Sequence, residues 1–164
     1  MKNIILDSGD IKNKIKRISI EIIEKNLKEK EIYIFGVLPN GKYLSEQINI
    51  FFKKNSKIKF KTFFIEIDKT SLSINKIIPE PNPIKLKNKV IILIDDVINS
   101  GATLMYSINK LLDYSPKEIQ IAVLIERNYK SFPLNPDYKG LELSTAKSEH
   151  VEVSIDKSPK VLIK

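Results

Sequence analysis

The chain contains no cysteine, a single histidine and only two arginines, Arg17 and Arg127. Without cysteine it can build neither a disulfide framework nor a thiolate metal site. With so few arginines, almost all of its positive charge is lysine, spread over a net charge of +8 and a pI of about 9.4. An excess of that size can signal nucleic-acid binding. Lysine scattered this evenly, alongside abundant isoleucine and asparagine, reads instead as composition bias and a solvated surface. No apolar stretch approaches membrane-spanning length, and the N-terminal run Ile4-Ile5-Leu6 is too short for a secretory signal. No Gly-Lys-Ser/Thr sequence is present, so a P-loop is excluded. The expectation is a cytoplasmic protein that touches no membrane. Its 164 residues, 42% of them hydrophobic, form one domain large enough to bury a core.

The informative stretch runs from Ile91 to Thr103. An apolar strand from Val90 to Ile94 runs into two adjacent acids, Asp95 and Asp96. Val97 and Ile98 follow, then a polar loop, Asn99-Ser100-Gly101-Ala102-Thr103. A helix is expected over 104–113, with Leu104, Ile108, Leu111 and Leu112 on its apolar face. This order places polar groups at the carboxyl end of a strand, where open α/β sheets bind ligands. Gly101 lets the backbone approach a ligand, Ser100 and Thr103 supply hydroxyls, and the N–H groups opening the helix favour an anion. Two carboxylates beside such a loop repel a second phosphate but suit ribose hydroxyls or a magnesium shell. A phosphate next to a diol describes a 5-phosphoribosyl group. The simpler alternative, a tight turn with Thr103 as an N-cap, leaves the two acids closing an apolar strand without a reason.

Elsewhere, Ile11 to Leu27 is an amphipathic helix with Ile11, Ile15, Ile18, Ile22 and Ile23 on one face. Glu31 to Phe35 is a buried strand followed by a turn, Gly36-Val37-Leu38-Pro39-Asn40-Gly41. Tyr43, Leu44, Ile48 and Phe51 mark the next helix, and Ile58 to Ile67 the next strand. Residues 68–89 show no clear period and carry Pro79, Pro81 and Pro83, as a lid, an arm or a flexible loop would. Ile119 to Ile125 is a further strand. The chain is then irregular through Pro133, Pro136 and Gly140, and ends in two short strands at 150–155 and 161–163. Alternating strands and helices imply an α/β fold with a mostly parallel central sheet flanked by helices, plus a small C-terminal strand-rich portion.

The 90–103 stretch resembles the phosphoribosyl-pyrophosphate motif of type I phosphoribosyltransferases. The segments Asp137-Tyr138-x-Gly140 and Ser144-Thr145-Ala146-Lys147-Ser148-Glu149 are similar to those of the PyrR-like pyrimidine-operon attenuator/uracil phosphoribosyltransferase type. The resemblance implies transfer of phosphoribose from 5-phosphoribosyl 1-diphosphate to a nucleobase, uracil being the nearest. Asp95 and Asp96 would be the catalytic acids, and residues Val97, Ile98, Asn99, Ser100, Gly101, Ala102 and Thr103 the 5-phosphate site. Leu38, Pro39, Asn40 and Gly41 would form the pyrophosphate loop, with Arg127 in the base region just past its strand. It also implies substrate-bound Mg²⁺, with no metal held by the protein alone, and a homo-oligomer. An RNA-binding, nucleotide-responsive attenuator is the alternative from another class, and a non-catalytic nucleotide-binding relative is a third.

Departures accompany the likeness. Family members carry basic residues where this chain has Leu38 and Asn40, and an arginine where it offers Lys69. A neutral amide contributes about half the strength of a charge-assisted bond, and lysine cannot grip a phosphate in two places. Lys147 would neutralise a ligand or pair with Glu149. His150 reads as a surface or packed residue rather than a catalyst.

Overall fold

A computed structural model describes residues 3–68, 70–71, 73–78 and 85–164. The first helix, α1 (Ser8–Lys25), begins where Asp7 and Asp10 cap each other reciprocally: Asp10 N donates to Asp7 Oδ1 at 2.8 Å and Asp7 N to Asp10 Oδ2 at 3.1 Å. Its buried stripe is Ile11, Ile15, Ile18, Ser19 and Ile22. It stops at Asn26, whose side-chain amide donates back to Ile22 O and across to Gln120 Oε1. Strand β2 (Glu31–Val37) and helix α2 (Asn40–Asn55) follow. The innermost residues of α2 are Leu44, Ile48 and Phe52, at a strict spacing of four; Phe51, expected inside, is only half-buried.

Strands β3 (Lys59–Asp68), β4 (Ser73–Ile78), β5 (Val90–Ile98), β6 (Glu118–Arg127) and β7 (Tyr138–Leu143) complete a six-stranded sheet with β2, in the order β4-β3-β2-β5-β6-β7. All pairs are parallel except β3 with β4. The parallel strands are buried on both faces, and their side chains alternate between two cores. Ile32, Ile34, Ile92, Ile94 and Leu124 face α1 and α2; Tyr33, Phe35, Ile91, Leu93 and Val123 face the side of α3 (Ala102–Leu112). In α3 the buried residues are Leu104, Ser107 and Leu111. Leu112, expected on that face, is exposed.

Two elements within this sheet are unannounced by pattern. Residues 73–78, inside the 68–89 span, pair antiparallel with β3 as an edge strand. Residues 79–84 of that span, with Pro79, Pro81 and Pro83, lie outside the described residues, as does Lys69. Residues 138–143, where the prolines and Gly140 suggested irregular chain, form β7. Here Asp137 Oδ2 accepts from Ile121 N, the Tyr138 hydroxyl donates to Gln120 Oε1 at 2.6 Å, and a Cβ on Gly140 would stand 2.5 Å from Leu124 O. The Asp-Tyr-x-Gly segment is thus a clasp that docks the last strand. Its backbone also receives the Arg17 guanidinium, which donates to Lys139 O and Gly140 O.

A second, antiparallel sheet joins β1 (Asn3–Leu6), β9 (Lys160–Ile163) and β8 (Val151–Ser154) in the order β1-β9-β8. It sets Val151, Val153 and Val161 into the core shared with α1 and α2.

Candidate active site at the carboxyl edge of the sheet

From β2 the chain moves one way to β3 and later returns to the other side of β2 as β5. The loops leaving β2 and β5 therefore diverge, and a crevice opens between them at the carboxyl ends of the strands. For this to happen α2 must start hard against the sheet. A Cβ on Gly41 would stand 2.7 Å from Ile94 O, so only glycine lets the helix ride that close.

β5 continues through the acids rather than stopping before them: Asp95 pairs with Val123 and Ile98 with Glu126. The sheet thereby fixes both acid backbones. Asp95 is 8% exposed, and its Oδ1 accepts from Asp96 N at 2.8 Å. Asp96 Oδ1 accepts from Val97 N, and its Oδ2 from the Asn40 amide. Beyond them, Gly101 takes a left-handed conformation with φ +88° and serves as the α3 N-cap without a side-chain cap. Thr103 is therefore no cap; its carbonyl accepts from the Ser107 hydroxyl. Ser100 Oγ accepts from Ala102 N.

Two hollows result. A small one of about 50 Å³ is lined by Asp95 and by residues 97–104. It is framed by loop hydroxyls and an uncapped helix start, as an anion requires. A cleft of about 270 Å³ adjoins it, and Asp95, Val97, Asn99 and Thr103 line both. The expected site residues are thus brought together, with two qualifications. Leu38, Pro39 and Asn40 line the cleft after a cis Leu38–Pro39 bond, but Gly41 packs beneath it on β5. Arg127 lines neither hollow. It is the last residue of β6, paired with Leu143, because β7 extends the strand that was expected to end before it.

The opposite wall was not anticipated. It is the start of β8, with His150, Val151, Glu152 and Val153. His150 is exposed at the rim, its backbone paired both ways with Lys164. Nothing in the local alternation of this strand says which part of the molecule it will face. Lys147 lies 6.0 Å over the Tyr129 ring rather than against Glu149, which accepts instead from Ala146 N. Among the described residues the cleft lining includes three acids and no lysine or arginine.

A small hollow beside paired acids, at the switch point of a parallel sheet, is the arrangement expected of a phosphoribosyl-binding enzyme. The chain belongs to the phosphoribosyl transferase domain family, whose model matches residues 2–158. It is a pentosyltransferase of the type I fold. Among its relatives is the Bifunctional protein PyrR of Clostridium kluyveri, 35% identical over 166 residues, covering 98% of this chain and 94% of that one. The protein of the same name from Brevibacillus brevis is 32% identical and covers 94% and 90%. Solved structures share the fold at low identity. A hypoxanthine phosphoribosyltransferase of Trypanosoma cruzi superposes with a TM-score of 0.79 at 12% identity, over 98% of this chain and 95% of that one. A hypoxanthine-guanine phosphoribosyltransferase of Bacillus anthracis gives 0.72 at 17%, over 87% and 82%. Among the described residues no helix is long and apolar enough to cross a membrane.

Proposed function

We propose that the chain joins 5-phosphoribosyl 1-diphosphate to a pyrimidine base, uracil foremost, giving a nucleoside monophosphate and diphosphate. The observation that carries this reading is that Asp95 borders both the anion hollow and the cleft, so phosphate and ribose can be held at once. The 97–103 loop holds the 5-phosphate. Asp95 and Asp96 accept hydrogen bonds from the ribose hydroxyls. The bond from C1 to diphosphate oxygen breaks, diphosphate leaving with the electron pair, and a bond from C1 to the base nitrogen forms as that nitrogen's proton passes to the departing diphosphate. The protein contributes position and a fixed field for the oxocarbenium-like carbon, not a covalent nucleophile.

Magnesium suits the oxygen-only chemistry of Asp95 and Asp96. Among the described residues no three His, Cys, Asp or Glu side chains could hold a metal together. The two acids would share the ion with the donor's own oxygens, and when bound it supplies the charge that offsets the leaving diphosphate. The neutral Leu38–Asn40 turn makes that help more needed here. The test is base-dependent release of diphosphate from purified protein, with uracil, cytosine, hypoxanthine and guanine compared. Release with uracil supports the reading, purine preference reassigns the base, and no release with any base defeats it.

A second reading, a nucleotide-responsive RNA-binding regulator, draws support from one surface feature. A groove of about 520 Å³ between α1 and α2 is lined by Lys12, Lys16 and Lys54 around Tyr43 and Phe51, with no acid in its lining. Lysines on a concave face with aromatic floor groups suit a phosphate backbone and unstacked bases. A gel mobility shift that responds to uridine nucleotide and weakens steeply with salt supports it, and loss of the shift in K12E/K16E/K54E places it at this groove. The same groove would carry no RNA if the shift were absent at low salt.

A further inference from the structure

Arg127 is 7% exposed and spends its donors in three directions. Nη1 donates to Asn99 Oδ1 at 3.0 Å and Nε to Thr145 Oγ1 at 2.9 Å. Nη2 donates to Glu149 O at 2.9 Å and, at longer range, to Ala146 O at 3.4 Å. All four acceptors are neutral. We infer that Arg127 is a positioning residue that couples the phosphate loop to the 145–149 segment, so that filling the anion hollow sets the wall on the far side of the cleft. This rests on the reading of the 97–104 hollow as a phosphate site.

The chain of contacts is continuous. Asn99 opens the loop and lines both hollows. The 145–149 segment leads directly into His150–Val153, the cleft wall. Between them Arg127 touches each and lines neither, so it acts through them. Backbone bonds tie the chain after β6 to the 97–103 loop and to the end of β7: Ser131 N and Phe132 N donate to Ser100 O, and Asn128 N donates to Leu143 O. The guanidinium reaches from loop to segment in one side chain. Burial keeps those bonds unscreened and holds the planar group in one pose. A lysine, with one nitrogen on a flexible stem, cannot serve three directions at once. The resemblance had placed Arg127 against the base; the geometry makes it the tie between the two halves of the site.

Coupling is tested with residues that meet only through Arg127. Inorganic phosphate and uridine 5′-monophosphate serve as probes in calorimetry on wild type, Thr145→Val, Asn99→Ala and the double variant, with thermal melts to establish folding. Thr145 lines neither hollow, yet T145V weakens phosphate binding by about threefold or more if the tie is real, and adds nothing in the N99A background, because networked residues are non-additive. Arg127→Lys melts as a folded protein and loses phosphate affinity at least as far as N99A. Unchanged phosphate affinity in T145V, additive effects, or a lysine that fully replaces Arg127 overturns the coupling while leaving the site reading intact. A wild-type protein that binds neither probe overturns both.

Discussion

The side-chain amide of Asn40 donates to Asp96 Oδ2 at 2.8 Å and to Val153 O at 3.0 Å. One amide thus ties one of the paired acids to the strand that walls the cleft, from a position where the family pattern calls for a cation. The turn has exchanged charge for a mechanical link. Arginine at this position should reverse the exchange. N40R is expected to raise the affinity for 5-phosphoribosyl 1-diphosphate by about tenfold, the worth of one charge-assisted bond, with a smaller change for nucleoside monophosphate. Calorimetry with both ligands in Mg²⁺ decides it. Equal changes for the two would mean that the turn does not face the diphosphate.

The double variant D95N/D96N keeps the side-chain shapes and the acceptor oxygens that meet Asp96 N and Val97 N. It removes both negative charges. Donor affinity or turnover should fall by about a hundredfold, since bonds to charged groups are worth roughly 1.5–3 kcal/mol each. Stability should move by less than about 1 kcal/mol. D96N alone also sets an amide against the Asn40 amide, so of the two single variants it should lower the melting temperature more. An unfolded double variant would mark the acids as structural.

Gly101→Ala places a methyl at φ +88°, 3.4 Å from Leu134 Cδ1 and 3.6 Å from Phe132 Cβ. The left-handed backbone costs about 1 kcal/mol or more for a residue with a Cβ, a melting shift of roughly 2–4 °C in a protein of this size. Phosphate binding should fall more than that strain alone accounts for, because the methyl crowds the loop that must hold the anion. Retained phosphate affinity at a lowered melting temperature would separate the loop from the ligand.

Glu126 gives a prediction about acid. Burial, at 3% exposure, would raise its carboxyl, but hydrogen bonds from Lys130 and Lys139 outweigh that and hold it below the ordinary carboxylate range. A carboxyl depressed on folding stabilises the native state above its unfolded pKa, about 4.3, and that contribution fades as pH falls toward the folded value. Wild type should therefore lose stability below about pH 4.3 more steeply than E126Q. Urea midpoints across that range measure it, and parallel curves would count against the pairing.

How much of this could be read beforehand depended on range. β5 with its acids was legible because a continuous apolar run ends in charge, and α1 because isoleucines recur at helical spacing. The turn at 99–103 between β5 and α3 was legible because Gly101 and its flanking polar residues lie together in sequence. β1, β4 and β7 were not, since each is short and gains its identity only from a distant partner: Asn3 from Ile163, Ile77 from Ile65, Tyr138 from Ala122. The same reason hid the wall of the cleft. Val151 and Val153 signal a half-buried strand, but nothing nearby says that Glu152 and His150 will border a site built around Asp95. Arg127 was noticed for its rarity, but its partners were not legible, because they lie 28 and 18 residues away.

The pairing of Asn3 with Ile163 sets an order of assembly. In the six-stranded sheet every neighbouring pair but β2 with β5 is consecutive in the chain, whereas β1 and β9 must find each other across nearly the whole chain. Closing so long a loop is entropically expensive and slow. β8 is held in register by β9, so the wall carrying His150 and Val153 becomes firm only when that late pairing is made. A molecule caught short of it would already possess the 97–104 hollow and both acids, yet present them on an open shelf with no far wall.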